Sequence, residues 1–388
     1  MNFDVDKREL LKSLVLVQSI AGRKTTLPIL SHVLMEVEKD LLYLTGTDLE
    51  TGVREGLPAN VQQEGKASVS AKKLYEIVRE LPDEPIHIEK KENHWITLQC
   101  GKSTFNLAGL DPDEFPSLPP YREEHFSIVP TSILMEMIEK TVFAASNEES
   151  RYHLNGIFFL QTKQAGKEVL RMVATDGHRL SLIHREGYRI RGIEKGIILP
   201  KKGILEVKKI MGDKEGEKQM EIYFDGTHGF LRMAKSLMII RLIDGEFPEY
   251  EQVIPKENDK RIRLEREKIT ACLRRVSIMA SERVEGIKLS FRKNVMEGTS
   301  FNQDFGDAKE EVEIAYEGPP LEIGFNAKYM IEVLNVIDKN EVWMELKDEG
   351  SPAILKPLSA ETSVESSDKT TPLLGLNDQL FIIMPMRI

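Results

Sequence analysis

The sequence has almost no cysteine: two in 388 residues, Cys100 and Cys272, far apart and without CxxC spacing. That excludes a disulfide framework and a cysteine-built zinc site, and it fits a reducing compartment. Long apolar runs are missing as well, so no stretch approaches the ~20 residues of a membrane helix. The start, MNFDVDKREL, lacks the basic n-region and apolar core of a signal peptide. There is no basic surplus either. A net charge of −10 argues against a generally basic nucleic-acid binder, though not against a locally basic surface. The common catalytic signatures are absent: no GxxxxGK(S/T), no GxGxxG after a strand, no HExxH, no GxSxG. The eight histidines are scattered, and His178 and His184 are badly spaced for a shared metal. No cofactor and no metal site are expected.

What is present is a globular composition, 41% apolar and 30% charged, at a length suited to two or three domains. Self-similarity organises it. SAKKLYEIVREL (70–81), PKKGILEVKKIM (200–211) and NAKYMIEVLNVI (326–337) each set a small or turn residue and lysine before apolar residues at helical spacing. Their starts lie about 130 and 126 residues apart, a domain-sized interval. Upstream of each is an earlier amphipathic helix, at 6–18, 130–142 and 265–277, and downstream of each come short alternating strands. The reading is three copies of one α+β domain, at 1–126, 127–251 and 252–388. Each copy splits again into two strand–helix–strands units. Helices on one side and antiparallel sheet on the other would cover every apolar face.

Charge is divided unevenly among these elements. The six helices together carry +6, which leaves −16 on the rest of the chain. Lysine and arginine on a single helix are ordinary solvated residues. Across six related helices they describe a basic layer that would attract a polyanion inside an acidic shell.

One segment resembles a catalytic site. Residues 173–182, VATDGHRLSL, place Thr175, Asp176, His178 and Arg179 within five positions. The first copy contains LTGTDLE (44–50), with the same Thr-Asp between strands. The shared pair reads as a turn closed by aspartate, with Gly177 at positive φ. His178 and Arg179 stay open to a functional role. The C-terminus, LFIIMPMRI, is strongly apolar for a chain end, so it is either core or the lining of a groove.

LPILSHVLMEV (27–37), LTGTDLE (44–50), RYHLNGI (151–157), VATDGHRL (173–180), DGEFPEYEQVIP (244–255), IGFNAKYMIEVLN (323–335) and MPMRI (384–388) carry a close resemblance to a known family. Along essentially its whole length the chain resembles the beta subunits of bacterial DNA polymerase III, the replicative sliding clamps. That resemblance implies a head-to-tail homodimer closing a ring around duplex DNA, with helices lining the hole and sheets forming the wall. It implies a non-catalytic processivity factor that acts in the cytoplasm, at the nucleoid. The implied partners are double-stranded DNA, a second copy of itself, and the polymerase III alpha subunit. The clamp loader, other polymerases and repair proteins would dock by short linear motifs. The implied DNA-facing residues are Arg23, Lys24, Arg79, Arg151, Tyr152, Lys201 and Lys202. The implied partner-peptide pocket comprises Leu154, Thr175, Gly177, His178, Arg179, Leu180, Pro248, Val253, Asn326 and Tyr329, with Ile382, Ile383, Met384, Pro385, Met386 and Arg387. At the dimer interface Phe105 and Leu107 would meet Ile278 and Met279, with Lys72 and Lys73 opposite Glu310, Glu311 and Glu313.

Three features depart from the family pattern. Glu148 stands where a neutral polar residue is usual, which should weaken a phosphate contact. Gln252 replaces an arginine beside Val253. Residues 356–381 form a longer, more polar connection to the last strand, expected to be a mobile surface insertion or a modulator of partner access. Two competing readings have distinct consequences: an enzyme using TDGHR would lose turnover in His178→Ala, and a scaffold without DNA would not be retained on circular DNA.

Overall fold

The computed structural model describes residues 1–21, 26–164, 166–213, 216, 218–281, 285–358 and 378–387. Six short strands each run into a helix, as the repeat reading expects. Asn2–Val5 leads into α1 (Lys7–Ala21), and Gly65–Ser70 into α2 (Ala71–Glu80). Ser127–Pro130 leads into α3 (Thr131–Glu139), and Ile197–Pro200 into α4 (Lys201–Asp213). Lys260–Glu265 leads into α5 (Arg266–Val276), and Leu321–Asn326 into α6 (Ala327–Val336). The turn residues before α2 and α6 act as caps: Ser70 Oγ accepts from the Lys73 N–H, and Asn326 Oδ1 from the Tyr329 N–H. α3 stops earlier than its pattern suggests. Thr141 turns its hydroxyl back onto the Met137 carbonyl at 2.7 Å, and a 3₁₀ turn follows at Val142–Ala144.

The contacts divide the chain into two units. The first comprises residues 1–135, 190–193 and 202–243; the second comprises 136–189, 194–201 and 244–388. In the first unit a 13-stranded sheet runs from Ser127–Pro130 through Ser236–Arg241 to Thr51–Gln63, and ends on the edge strand Ser103–Leu107. Its β-ladder crosses a repeat boundary, since Ser236 pairs with Glu55 and Ile240 with Thr51. α1 buries Leu10, Leu14, Val17 and Ile20 against this sheet and α2.

The second unit holds an eight-stranded sheet and a four-stranded one. The eight-stranded sheet also joins two repeats, because Arg179–Glu186 pairs with the C-terminal strand Gln379–Ile383. That strand is buried along its length and serves two cores by simple alternation. Leu380 and Ile382 pack with Val173, Leu180, Leu182 and Tyr250, while Phe381 and Ile383 join the larger core under α5 and α6. The apolar chain end is therefore both core and, through Ile382, groove. Residues 359–377 of the long polar connection lie outside the described residues.

The Thr-Asp turn is duplicated atom for atom. Asp176 Oδ1 accepts from the His178 and Arg179 N–H groups, and Asp48 Oδ1 from those of Glu50 and Thr51. Thr175 Oγ donates to the Arg179 carbonyl as Thr47 Oγ does to the Thr51 carbonyl. The third turn residue is Gly177 at φ 88° in one copy and Leu49 at φ 74° in the other. A branched side chain in the left-handed region costs about 1–2 kcal/mol, partly offset by the entropy a glycine loses on folding. Leu49→Gly should therefore raise stability by about 0.5–1 kcal/mol in urea unfolding, an unusual sign for a substitution to glycine.

Both thiols are buried, and burial pushes the Cys272 thiol up to about 11 and the Cys100 thiol upward as well. Native protein at about pH 8 should resist alkylation, with both cysteines labelled only on unfolding. Rapid native-state labelling of Cys272 would contradict this packing.

Candidate docking site

In the second unit the duplicated turn forms one wall of an apolar cavity of about 130 Å³. The strand Lys167–Thr175 delivers Thr175, the turn delivers Gly177, and the strand Arg179–Glu186 delivers Arg179 and Leu180. Ile382 lies opposite Leu180 in the ladder, and Met384 continues past the strand, its N–H donating to the His178 carbonyl at 2.8 Å. Leu154, Pro248 and Val253 complete the carried-over lining. Val253 is 38% exposed, so the cavity is open to a partner.

Two lining residues, Glu249 and Tyr250, were not anticipated. Tyr250 is fixed by its N–H on the Pro248 carbonyl at 2.7 Å and by its hydroxyl, which accepts from buried Arg171 at 3.0 Å. Burial pushes its phenol above the ordinary tyrosine range, so it presents a neutral wall. Phe247 supports it, stacked on Phe158 with centroids 4.8 Å apart.

Other expected pocket residues are placed differently. Ile383 faces the opposite core, because alternation along the strand turns it away from Ile382. Asn326 caps α6 and does not line the cavity. Pro385, Met386 and Arg387 follow beyond it, with the Met386 N–H donating to the Gly324 carbonyl at 2.9 Å. His178 is exposed, its ring facing that of Tyr329 with centroids 6.1 Å apart and planes inclined by 22°, and neither residue lines the cavity itself.

Arg179 is the support beneath this wall. It is 7% exposed, lies between the Phe143 and Tyr329 rings at 5.1 and 4.4 Å, and donates to the Phe143 carbonyl at 2.8 Å. It forms ion pairs with Asp176, at 3.1 Å, and with Glu332. The Thr175 hydroxyl, the Asp176 carboxylate and the Arg179 guanidinium are thus engaged in turn geometry, ion pairing and a backbone contact, while the His178 ring is exposed. Among the described residues no cluster of histidine, cysteine and carboxylates could hold a metal, and no helix is long and apolar enough to cross a membrane.

Comparison with known proteins decides the family. Three models of the DNA polymerase III beta subunit match in series: the N-terminal domain at 1–119, the central at 128–249 and the C-terminal at 251–367. The chain belongs to the DNA polymerase III beta subunit family. The beta sliding clamp of Pseudomonas putida is 32% identical over 393 residues and 100% of both chains. That of Caulobacter vibrioides is 33% identical over 92% of this chain and 95% of its own. Among solved structures, a Bartonella birtlesii sliding clamp bound to griselimycin superposes with a TM-score of 0.90, at 30% identity and full coverage of both chains. The Pseudomonas aeruginosa beta subunit gives 0.89 at 31%, again over both chains.

The positions that the family would turn toward DNA vary in what they offer. Arg23 and Lys24 lie outside the described residues. Arg79 is exposed, pairs with Glu80 and lies 5.7 Å from the Tyr75 ring. Tyr152 is 56% exposed. Arg151 contacts Glu148 at 3.3 Å and donates to the Asp176 carbonyl, so Glu148 competes for it. Two lysines are less available than the sequence suggests. Lys201 donates to the Ala145 carbonyl and to Asn147 Oδ1, and burial, with Arg179 nearby, holds its ammonium below the usual lysine range. Lys202 is engaged by Asp48 at 2.5 Å. Gln252 is exposed and bonds Glu249.

Of the expected interface residues, Phe105 and Leu107 sit on a sheet edge, and Ile278 and Met279 on the 3₁₀ turn Ser277–Met279 that follows α5. Phe105 and Leu107 lie on the terminal strand of the first unit's sheet, and Phe105 is 37% exposed. In the second unit Ile278 is 77% exposed, and the strand Gly306–Glu313 ends the four-stranded sheet. An unpaired edge bearing apolar side chains invites a partner strand. The charges there are already paired internally, Lys72 and Lys73 with Glu76, and Glu310 with Arg275.

Proposed function

We propose that this protein is a DNA sliding clamp, a non-catalytic processivity factor that encircles duplex DNA without sequence preference and tethers the replicative polymerase. The observation that carries the reading is the serial match of the three beta-subunit domains along one chain. The domains are assigned to 1–126, 127–251 and 252–388, and two copies join head to tail between the edge strand that carries Phe105 and Leu107 and the 3₁₀ turn after α5 that carries Ile278 and Met279. The protein acts in the cytoplasm at the nucleoid. Topological enclosure explains how a chain of net charge −10 holds a polyanion. Once dissociation requires ring opening, weak phosphate contacts suffice, and weak contacts permit sliding.

The cavity of the second unit is the docking site for the polymerase alpha subunit, the clamp loader and repair proteins. Its apolar walls suit leucine and aromatic anchors of a short linear segment, the kind of anchor that dominates such affinities. The test is primer extension on a primed circle with polymerase III and its loader. Products of a single binding event should lengthen when this protein is added. Unchanged product length would overturn the reading.

A further inference from the structure

The three most exposed large apolar side chains among the described residues are Ile278, Phe305 and Phe301, at 77%, 75% and 68%. They belong to one surface. Phe301 lies on the strand Val295–Asn302, and Phe305 sits just before the strand Gly306–Glu313, so both mark the tip of the hairpin that ends the four-stranded sheet. The 3₁₀ turn that carries Ile278 packs against this tip. Ser300 Oγ donates to the Val276 carbonyl at 2.6 Å, and Met279 Cε lies 3.6 Å from where a Cβ on Gly306 would sit. The tip is held in shape by the Asp304 N–H, which donates to Asn302 Oδ1 at 2.9 Å, and by Gly306 at φ 108°. Two phenylalanines and an isoleucine exposed side by side on an ordered surface mark a contact with another protein.

The charges around this surface are already engaged. On the adjoining strands Glu310 pairs with Arg275, Lys309 with Glu297 at 2.8 Å, and Arg292 with Glu297 and, at 3.5 Å, with Glu311. On α2, Lys72 and Lys73 hold Glu76. A charged rim between two copies would have to exchange these pairs for others like them, and exposed exchanges of that kind gain little. The apolar groups have no such internal alternative. Buried interface centres are accordingly rich in aromatic side chains and poor in charge.

We infer that Phe301 and Phe305, with Ile278 and Met279, form an aromatic clasp for the Phe105 edge strand of a second copy, and that this clasp, not a charged rim, holds the two copies together. The inference rests on the head-to-tail dimer proposed above and adds to it two anchors and the kind of force. A second copy is the occupant because the tip continues directly into the edge strand Gly306–Glu313, and the strand Ser103–Leu107 offers the matching unpaired edge with an exposed phenylalanine.

Fluorescence-detected sedimentation of the labelled full chain across a dilution series gives the dimer dissociation constant. Phe301→Ser and Phe305→Ser should each raise it by about tenfold or more. Both positions are exposed, and circular dichroism establishes that the variants are folded. Glu310→Gln should change the constant by less than about threefold, and so should raising salt from about 0.1 to 0.5 M. Wild-type affinity in both folded phenylalanine variants would overturn the clasp while leaving the dimer. So would a loss of about tenfold in Glu310→Gln or in high salt. A chain that stays monomeric at every concentration would overturn the dimer itself, and the clasp with it.

Discussion

Arg179→Ala is expected to lower the unfolding free energy by about 3 kcal/mol, at the low end of the cost of breaking a buried charge pair. The side chain closes three kinds of interaction at once: ion pairs to the Asp176 and Glu332 carboxylates, a hydrogen bond to the Phe143 carbonyl, and contacts with two aromatic faces. Removing it leaves a void between the rings and two carboxylates without their shared cation. The low end is chosen because Glu332 is 32% exposed and can turn to water, while Asp176 keeps its two backbone donors. Arg179→Lys keeps a charge but loses the planar fork, and should fall between wild type and alanine. Urea unfolding of the three proteins measures the series. A change below about 1 kcal/mol in Arg179→Ala would mean that the ion pairs are surface-like and that the wall stands without them.

Deleting residues 384–388 is expected to weaken binding of a short peptide with leucine and aromatic anchors by about 100-fold, equivalent to about 2.7 kcal/mol. Met384 is a wall of the cavity, and its N–H ties the tail to the TDGHR turn through His178. The Met386 bond to Gly324 would be lost too. The strand Gln379–Ile383 keeps its ladder, so stability should fall by only about 1–2 kcal/mol. Fluorescence anisotropy with a labelled peptide separates the two effects. Affinity within threefold of wild type would remove the tail from the docking site.

How much of this was legible depended on the range of the interaction. The six helices follow from period and lysine placement, because an amphipathic face is written locally, and Ser70 and Asn326 mark two of the starts. The twin turns at Asp48 and Asp176 were legible because in each the aspartate Oδ1 that closes the turn accepts from the backbone two and three residues ahead. The dual role of the C-terminal strand was half legible: apolar content indicated burial, while the split of Ile382 from Ile383 required knowing which core lies on each side. Tyr250 lies within DGEFPEYEQVIP but carries no local signal of its role, which rests on Arg171, 79 residues away in sequence. The ladders that join repeats, Ser236 to Glu55 and Arg179 to Ile383, leave no local signal at all. The grouping of Leu154, Thr175, Leu180, Pro248, Val253, Ile382 and Met384 around one cavity has no local signal and was suggested only by family resemblance. Resemblance alone could not show that Lys201 and Lys202 have internal partners.

The most direct test of the clamp reading is topological. Labelled protein is loaded onto nicked circular DNA by its loader, the free protein is removed, and the DNA is then linearised at one site. The account predicts retention on the circle through gel filtration and rapid loss once the ends are free, with little dependence on sequence. Persistence on the linear product would show that contacts, not enclosure, hold the protein, and would contradict the account.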